Sequence, residues 1–108
     1  MQPVLILTTT NSEEEAKAIA NALVQERIAA CVNISSPVTS IYSWEDKIEE
    51  ETEYKLFIKT YIENWPALRE KLKELHSYSV PDITLINTEQ MNPEYLTWMD
   101  KVCDKLGP

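Results

Sequence analysis

The apolar residues of this chain change their spacing several times. The order of those changes restricts the fold more than any other feature. Residues 4–7, VLIL, are a continuous apolar run of strand length, which fits a strand covered on both faces. SEEEAKAIANALVQERI then places Ala16, Ile19, Ala20, Leu23 and Val24 at i, i+3, i+4, i+7 and i+8, one stripe of a helix. Ser12 and Glu15 have capping-box spacing; Glu13, Glu14 and Glu15 oppose the positive end of the helix dipole, and Arg27 lies near the other end. AACVNI alternates Ala30, Val32 and Ile34 against Cys31 and Asn33, as a strand does. Pro37 cannot donate to a ladder, so it predicts a kink before the strand resumes over 38–44. TEYKLFIKTYI alternates again. Asn64, Trp65 and Pro66 open a second helix, with Trp65, Leu68, Leu72 and Leu75 on its buried stripe and an end near His76. Pro81 marks the entry to a last strand, DITLINTE. Asn92 and Pro93 start a third helix that buries Leu96, Met99 and Cys103, with Leu106 as a further candidate.

The predicted order is β-α-β-β-α-β-α. Its first six elements are the ferredoxin-like split βαβ unit, an α+β fold. Both crossover helices then cover one face of a four-stranded antiparallel sheet. The 108 residues suffice for a single domain, 1–108. The only glycine is Gly107, so no Gly-rich phosphate loop exists.

The segment IYSWEDKIEEETEYKLFIKT, 41–60, predicts a long hairpin arm. Glu45, Asp46, Glu49, Glu50, Glu51 and Glu53 crowd it, and no Gly, Asn or Pro marks its turn. With the helices on one sheet face, part of the Tyr42, Trp44, Phe57 and Tyr61 set meets water in a lone subunit. An exposed apolar patch and an unpaired strand edge both call for a partner. The economical partner is another copy of the same chain, with the acids at a solvated tip.

The net charge of −8 repels phosphate backbones and anionic lipid, which argues against nucleic-acid and membrane partners. No basic n-region opens the chain and no apolar run reaches membrane-spanning length. Cys31 and Cys103 form no C-x-x-C pair, so reduced thiols in the cytoplasm are expected. No nucleophile–histidine–acid order or paired-carboxylate motif stands out, and the chain is not expected to be an enzyme.

His76 is the only histidine. It suits either the end of a helix, near free carbonyls, or a single imidazole ligand. Cys31 is either a small core residue or a soft-metal ligand. Trp44, Lys59, Tyr78 and Asp82 combine an aromatic wall, an ammonium and a carboxylate. In an oligomer they form a candidate inter-subunit cleft for a small molecule, or an interface ion pair with packed rings.

Several stretches carry a resemblance: RIAACVNI at 27–34, VTSIYSWEDKIEEETE at 38–53, LFIKT at 56–60, LKELHSYSVPDI at 72–83 and YLTWM at 95–99. In order and spacing they resemble the CutA family of divalent-cation tolerance proteins along nearly the whole chain. The resemblance implies a ferredoxin-like subunit in a compact homotrimer, related in architecture to PII signalling proteins. It implies a part in the response to metal ions, with copper or another divalent cation bound weakly and no firm cofactor. A PII-like sensor that reads a small metabolite in its inter-subunit clefts is the alternative. The chain departs from the family pattern in places. The family's usual turn glycine is Asp46 here, and the Pro and first acid of its H-P-Y-E-V-P-E motif are Ser77 and Ser79. The positions proposed as copper ligands in some members are Thr8, Leu75 and His76.

Overall fold

The structure is a computed structural model and describes residues 2–105; Leu106 lies outside them. The elements are β1 (Pro3–Thr10), α1 (Glu13–Gln25), β2 (Cys31–Ile34), β3 (Val38–Trp44), β4 (Lys47–Tyr61), α2 (Trp65–Leu75), β5 (Ile83–Asn87) and α3 (Pro93–Val102). A short 3-10 turn, Ile62–Asn64, leads from β4 into α2.

The sheet is antiparallel throughout, in the order β2-β4-β1-β5, with β3 paired to the far half of β4. This is the split βαβ arrangement. β4 is the spine: its first half pairs with β3, from Trp44↔Lys47 to Val38↔Glu53. Its second half lies between β2 and β1. The sequence suggested one kinked strand where the structure has two, β2 and β3. Pro37 explains the break. Ser35 bridges it, because its N–H donates to the Lys55 carbonyl at 2.9 Å and its hydroxyl accepts from the Lys55 N–H at 2.9 Å.

The break also shifts the alternation by one residue. Cys31 lies opposite Lys59 on β4, whereas Tyr42 lies opposite Glu49 and Ser40 opposite Glu51. Directly opposed residues share a face. Odd residues of β2 and even residues of β3 therefore point to the same side as odd residues of β4.

α1 shows how local chemistry sets an element's ends. The Ser12 hydroxyl accepts from the Glu15 N–H at 3.1 Å, which satisfies one free donor of the first turn. At the other end Arg27 takes a left-handed φ of 61°. Its N–H donates to the Val24 carbonyl and the Ile28 N–H to Leu23, at 3.1 and 3.0 Å. That is a Schellman cap without its usual glycine. Arg27 is tied down elsewhere: its Nε donates to Asp104 at 2.9 Å and its Nη2 to the Lys101 carbonyl at 2.8 Å.

The main core lies between the sheet and α1 and α2, with Val4, Ile6, Ile19, Leu23, Leu56, Ile58, Leu68 and Leu72 all buried. A satellite cluster of Ala30, Tyr61, Met99 and Cys103 seats α3 at one end of the sheet. Thr60, Asn64 and Cys103 converge there on the Ile28 carbonyl, and burial pushes the Cys103 thiol pKa up. The opposite sheet face carries Leu5, Leu7 and Phe57, half-buried, and Ile86, 41% exposed. The arm is barer still: Ile41 is 66% exposed and Ile48 74%.

Candidate functional site

Where the arm leaves the body, the open face forms a cavity of about 610 Å³. The one-residue shift in alternation builds it, because Tyr42 and Trp44 of β3 arrive beside Glu49, Glu51, Glu53 and Lys55 of β4. Tyr78 and Asp82, from the segment between α2 and β5, supply another wall. The Tyr42 hydroxyl donates to Glu51 Oε1 at 2.8 Å. That bond, reinforced by desolvation and the neighbouring carboxylates, pushes the Tyr42 pKa up to about 12. The Tyr78 hydroxyl donates to Glu53 Oε2 at 2.7 Å, and burial together with that bond raises its pKa further. Asp82 accepts from the Thr84 hydroxyl at 2.7 Å.

Of the four residues suggested for a cleft, Trp44, Tyr78 and Asp82 line this cavity and Lys59 does not. Lys59 lies four residues further along β4, about 13 Å from Lys55 at strand rise. Its Nζ sits 5.0 Å from the Tyr95 ring centroid. Lys55 takes the place expected for Lys59. Glu53 and Lys55 escaped sequence reasoning because only the β3–β4 register puts them with Trp44. The signal was the every-second spacing of Glu49, Glu51 and Glu53.

His76 follows α2 directly. Its N–H donates to the Leu72 carbonyl at 2.9 Å, so the backbone does close the helix. The ring does not reach free carbonyls. Its side chain is 0% exposed and stacks on Tyr78, with centroids 5.6 Å apart. Nε2 bonds the Thr8 hydroxyl at 2.9 Å. Nδ1 faces Glu15 Oε2 at 3.6 Å, beyond a hydrogen bond, and neither atom has another hydrogen-bond partner among the described residues. Burial lowers the His76 pKa, with Glu15 and Glu53 pulling weakly the other way. The ring is therefore neutral near pH 7. Among the described residues Glu15 does not complete the expected capping box; its carboxylate points at His76 instead.

Thr8 shares the helix-covered face of β1 with the core residues Val4 and Ile6, so His76 approaches from that side. Cys31 points to the opposite face, beside Tyr95. The sheet thus separates the two candidate metal ligands. Thr8 and His76 do meet, but a hydroxyl is a poor partner for a soft ion, and Leu75 packs at the margin of the core. No group of three or more His, Cys, Asp or Glu side chains among the described residues is arranged to hold a metal ion. These residues do not fit a thiolate–imidazole copper centre within one chain.

The comparisons with known proteins follow the same lines as the fold. A profile described as "CutA1 divalent ion tolerance protein" matches residues 4–102. This chain belongs to the CutA1 divalent ion tolerance family. The "Divalent-cation tolerance protein CutA" of Thermus thermophilus is 46% identical over 95 residues, covering 88% of this chain and 92% of that protein. The mouse "Protein CutA" is 43% identical over 99 residues, covering 92% of this chain but only 56% of its own length. The solved CutA1 of Oryza sativa superimposes with a TM-score of 0.94 at 31% identity, covering 97% of this chain and 96% of that one. The matching profile and the Thermus thermophilus relative are named for divalent-ion tolerance and not for a catalysed reaction. Among the described residues, no helix is long and apolar enough to cross a membrane.

Proposed function

We propose that the chain works as a homotrimeric CutA protein in the response to divalent metal ions, and that it contacts those ions weakly through carboxylates. The observation that carries the assembly is the uncovered apolar surface. Among the described residues, Leu5, Leu7 and Phe57 on the open sheet face are only half-covered, and Ile86 beside them is exposed, as are Ile41, Tyr42, Trp44 and Ile48 on the arm. Sister copies supply the cover: arms pair with neighbouring edges and open faces meet. A net charge of −8 favours cations near the assembly and keeps nucleic acid and anionic membranes away. Free thiols at Cys31 and Cys103 suit a reducing cytoplasm.

Sedimentation at micromolar concentration tests the assembly. The expected mass is three times the 12.5 kDa chain; a folded particle of single-chain mass overturns it. Equilibrium dialysis with Cu(II) tests the ion contact. Weak binding that survives His76→Ala and Cys31→Ser is expected, because the sheet keeps those donors apart. Loss of binding in either variant would restore a soft-ligand site, and no binding to any of the proteins removes the ion contact.

A further inference from the structure

We infer that the copies join head to tail: the helix-side face of one copy's arm turns toward the open sheet side of the next copy, and its Glu50 meets Lys59 there. This contact rests on the homotrimer proposed above. A closed ring of three joins two different patches of each chain, because a patch that meets its own twin closes after two copies. The fold presents two such patches, on opposite faces and of opposite charge.

The first patch is the open sheet face. The register sets Cys31, Lys59, Leu5 and Ile86 side by side across β2, β4, β1 and β5, and Phe57 lies two residues along β4 on the same face. Lys59 is half-buried in this apolar row. Its Nζ sits over the Tyr95 ring, 5.0 Å from the centroid. Among the described residues it joins no ion pair. A purely apolar cover would seal that ammonium without a countercharge, which is costly. The cover must bring a carboxylate.

The second patch is on the arm. Ile41 lies opposite Glu50 and Ser43 opposite Ile48, so Ile41, Ile48 and Glu50 share a face. It is the reverse of the face that carries Tyr42 and Trp44, and it continues the helix-covered side of the sheet past the end of the body. The meeting of open faces alone would leave Ile41 and Ile48 bare, since both point the other way. Glu50 is exposed between them and joins no ion pair among the described residues. An apolar patch centred on one carboxylate thus answers an apolar patch centred on one ammonium. Around a ring of three the contact repeats three times, and each chain uses both patches once.

Sedimentation of the intact protein across a dilution series tests the contact. Glu50→Lys sets two like charges together and should raise the dissociation constant at least about tenfold. Lys59→Glu should do the same. The double variant, with the charges exchanged, should recover most of the loss, which a merely structural role for either residue would not give. Ile48→Arg, at a position exposed in the single chain, should weaken assembly as Glu50→Lys does; it stands in for Lys59→Glu if circular dichroism shows that variant unfolded. Glu45→Lys, the same charge change at the tip of the arm, should leave the mass unchanged. A folded wild type of single-chain mass removes the homotrimer and this contact with it. A wild-type trimer whose assembly is undiminished in Glu50→Lys overturns the contact and leaves the homotrimer standing. So does a loss in Glu45→Lys as large as that in Glu50→Lys, or a double variant no better than the single ones.

Discussion

At the scale of single residues, His76 carries the clearest consequence. Its ring is sealed between Thr8, Glu15 and Tyr78, and burial lowers its pKa below the ordinary 6.5. Between that value and the lowered one, the unfolded chain holds more protons than the folded one. Stability is therefore fully present above about pH 6.5 and falls as the pH drops through this window. Urea midpoints measured from pH 7 to pH 5 should fall for the wild type. They should fall less steeply for His76→Gln, which cannot take up that proton; parallel curves would mean the ring is not sealed. The helix-ending role of His76 was legible from its place after Leu75. Its ring partners were not, since Thr8 is 68 residues away and nothing in the local spacing links them.

Among the elements, the β3–β4 hairpin was legible from alternation on both sides of the acid run, and the break before it from Pro37. The consequence of the break was hidden. A one-residue shift decides whether Tyr42 and Trp44 face the cavity, and only cross-strand register reveals it. Residue type alone did not mark the turn, since it lacks its usual residues; the family resemblance placed it at Asp46. Glu45 and Asp46 form a two-residue turn with φ of 51° and 66°. Both are left-handed, as the turn that matches strand twist requires. A side chain there costs energy that glycine avoids. This accounts for the glycine usual at position 46 in proteins of this kind. Asp46→Gly should stabilise the hairpin by about 0.5–1 kcal/mol, within the range for relieving one left-handed residue. A thermal melt should show a higher midpoint, and an unchanged or lower one would argue against a strained turn.

For the whole molecule, the described residues span 45 × 25 × 24 Å; the long axis records an arm reaching beyond the body. The sequence indicated that apolar surface would be left over, because two helices cannot cover both faces of a sheet. Of the Tyr42, Trp44, Phe57 and Tyr61 set it pointed to, Tyr42 and Trp44 are exposed and Phe57 is half-buried, whereas Tyr61 is buried against α3; which member ends where depends on how β2, β4, β1 and β5 line up. Phe57 sits between Leu7 and Asn33 in that order, in the middle of the open face. Phe57→Arg should shift the assembly toward single chains, raising the dissociation constant at least about tenfold by placing a charge at an apolar contact. Sedimentation across a dilution series reads this directly. An unchanged mass would mean that the open face is not where copies meet.

The arm's tip is two residues joining β3 to the first half of β4, which within the chain pair only with each other, and the ladders of the body close without it. A foreign peptide spliced between Glu45 and Asp46 would therefore ride at the far end of a stiff stalk. The chain lends itself to use as a display scaffold, its payload held clear of the folded mass.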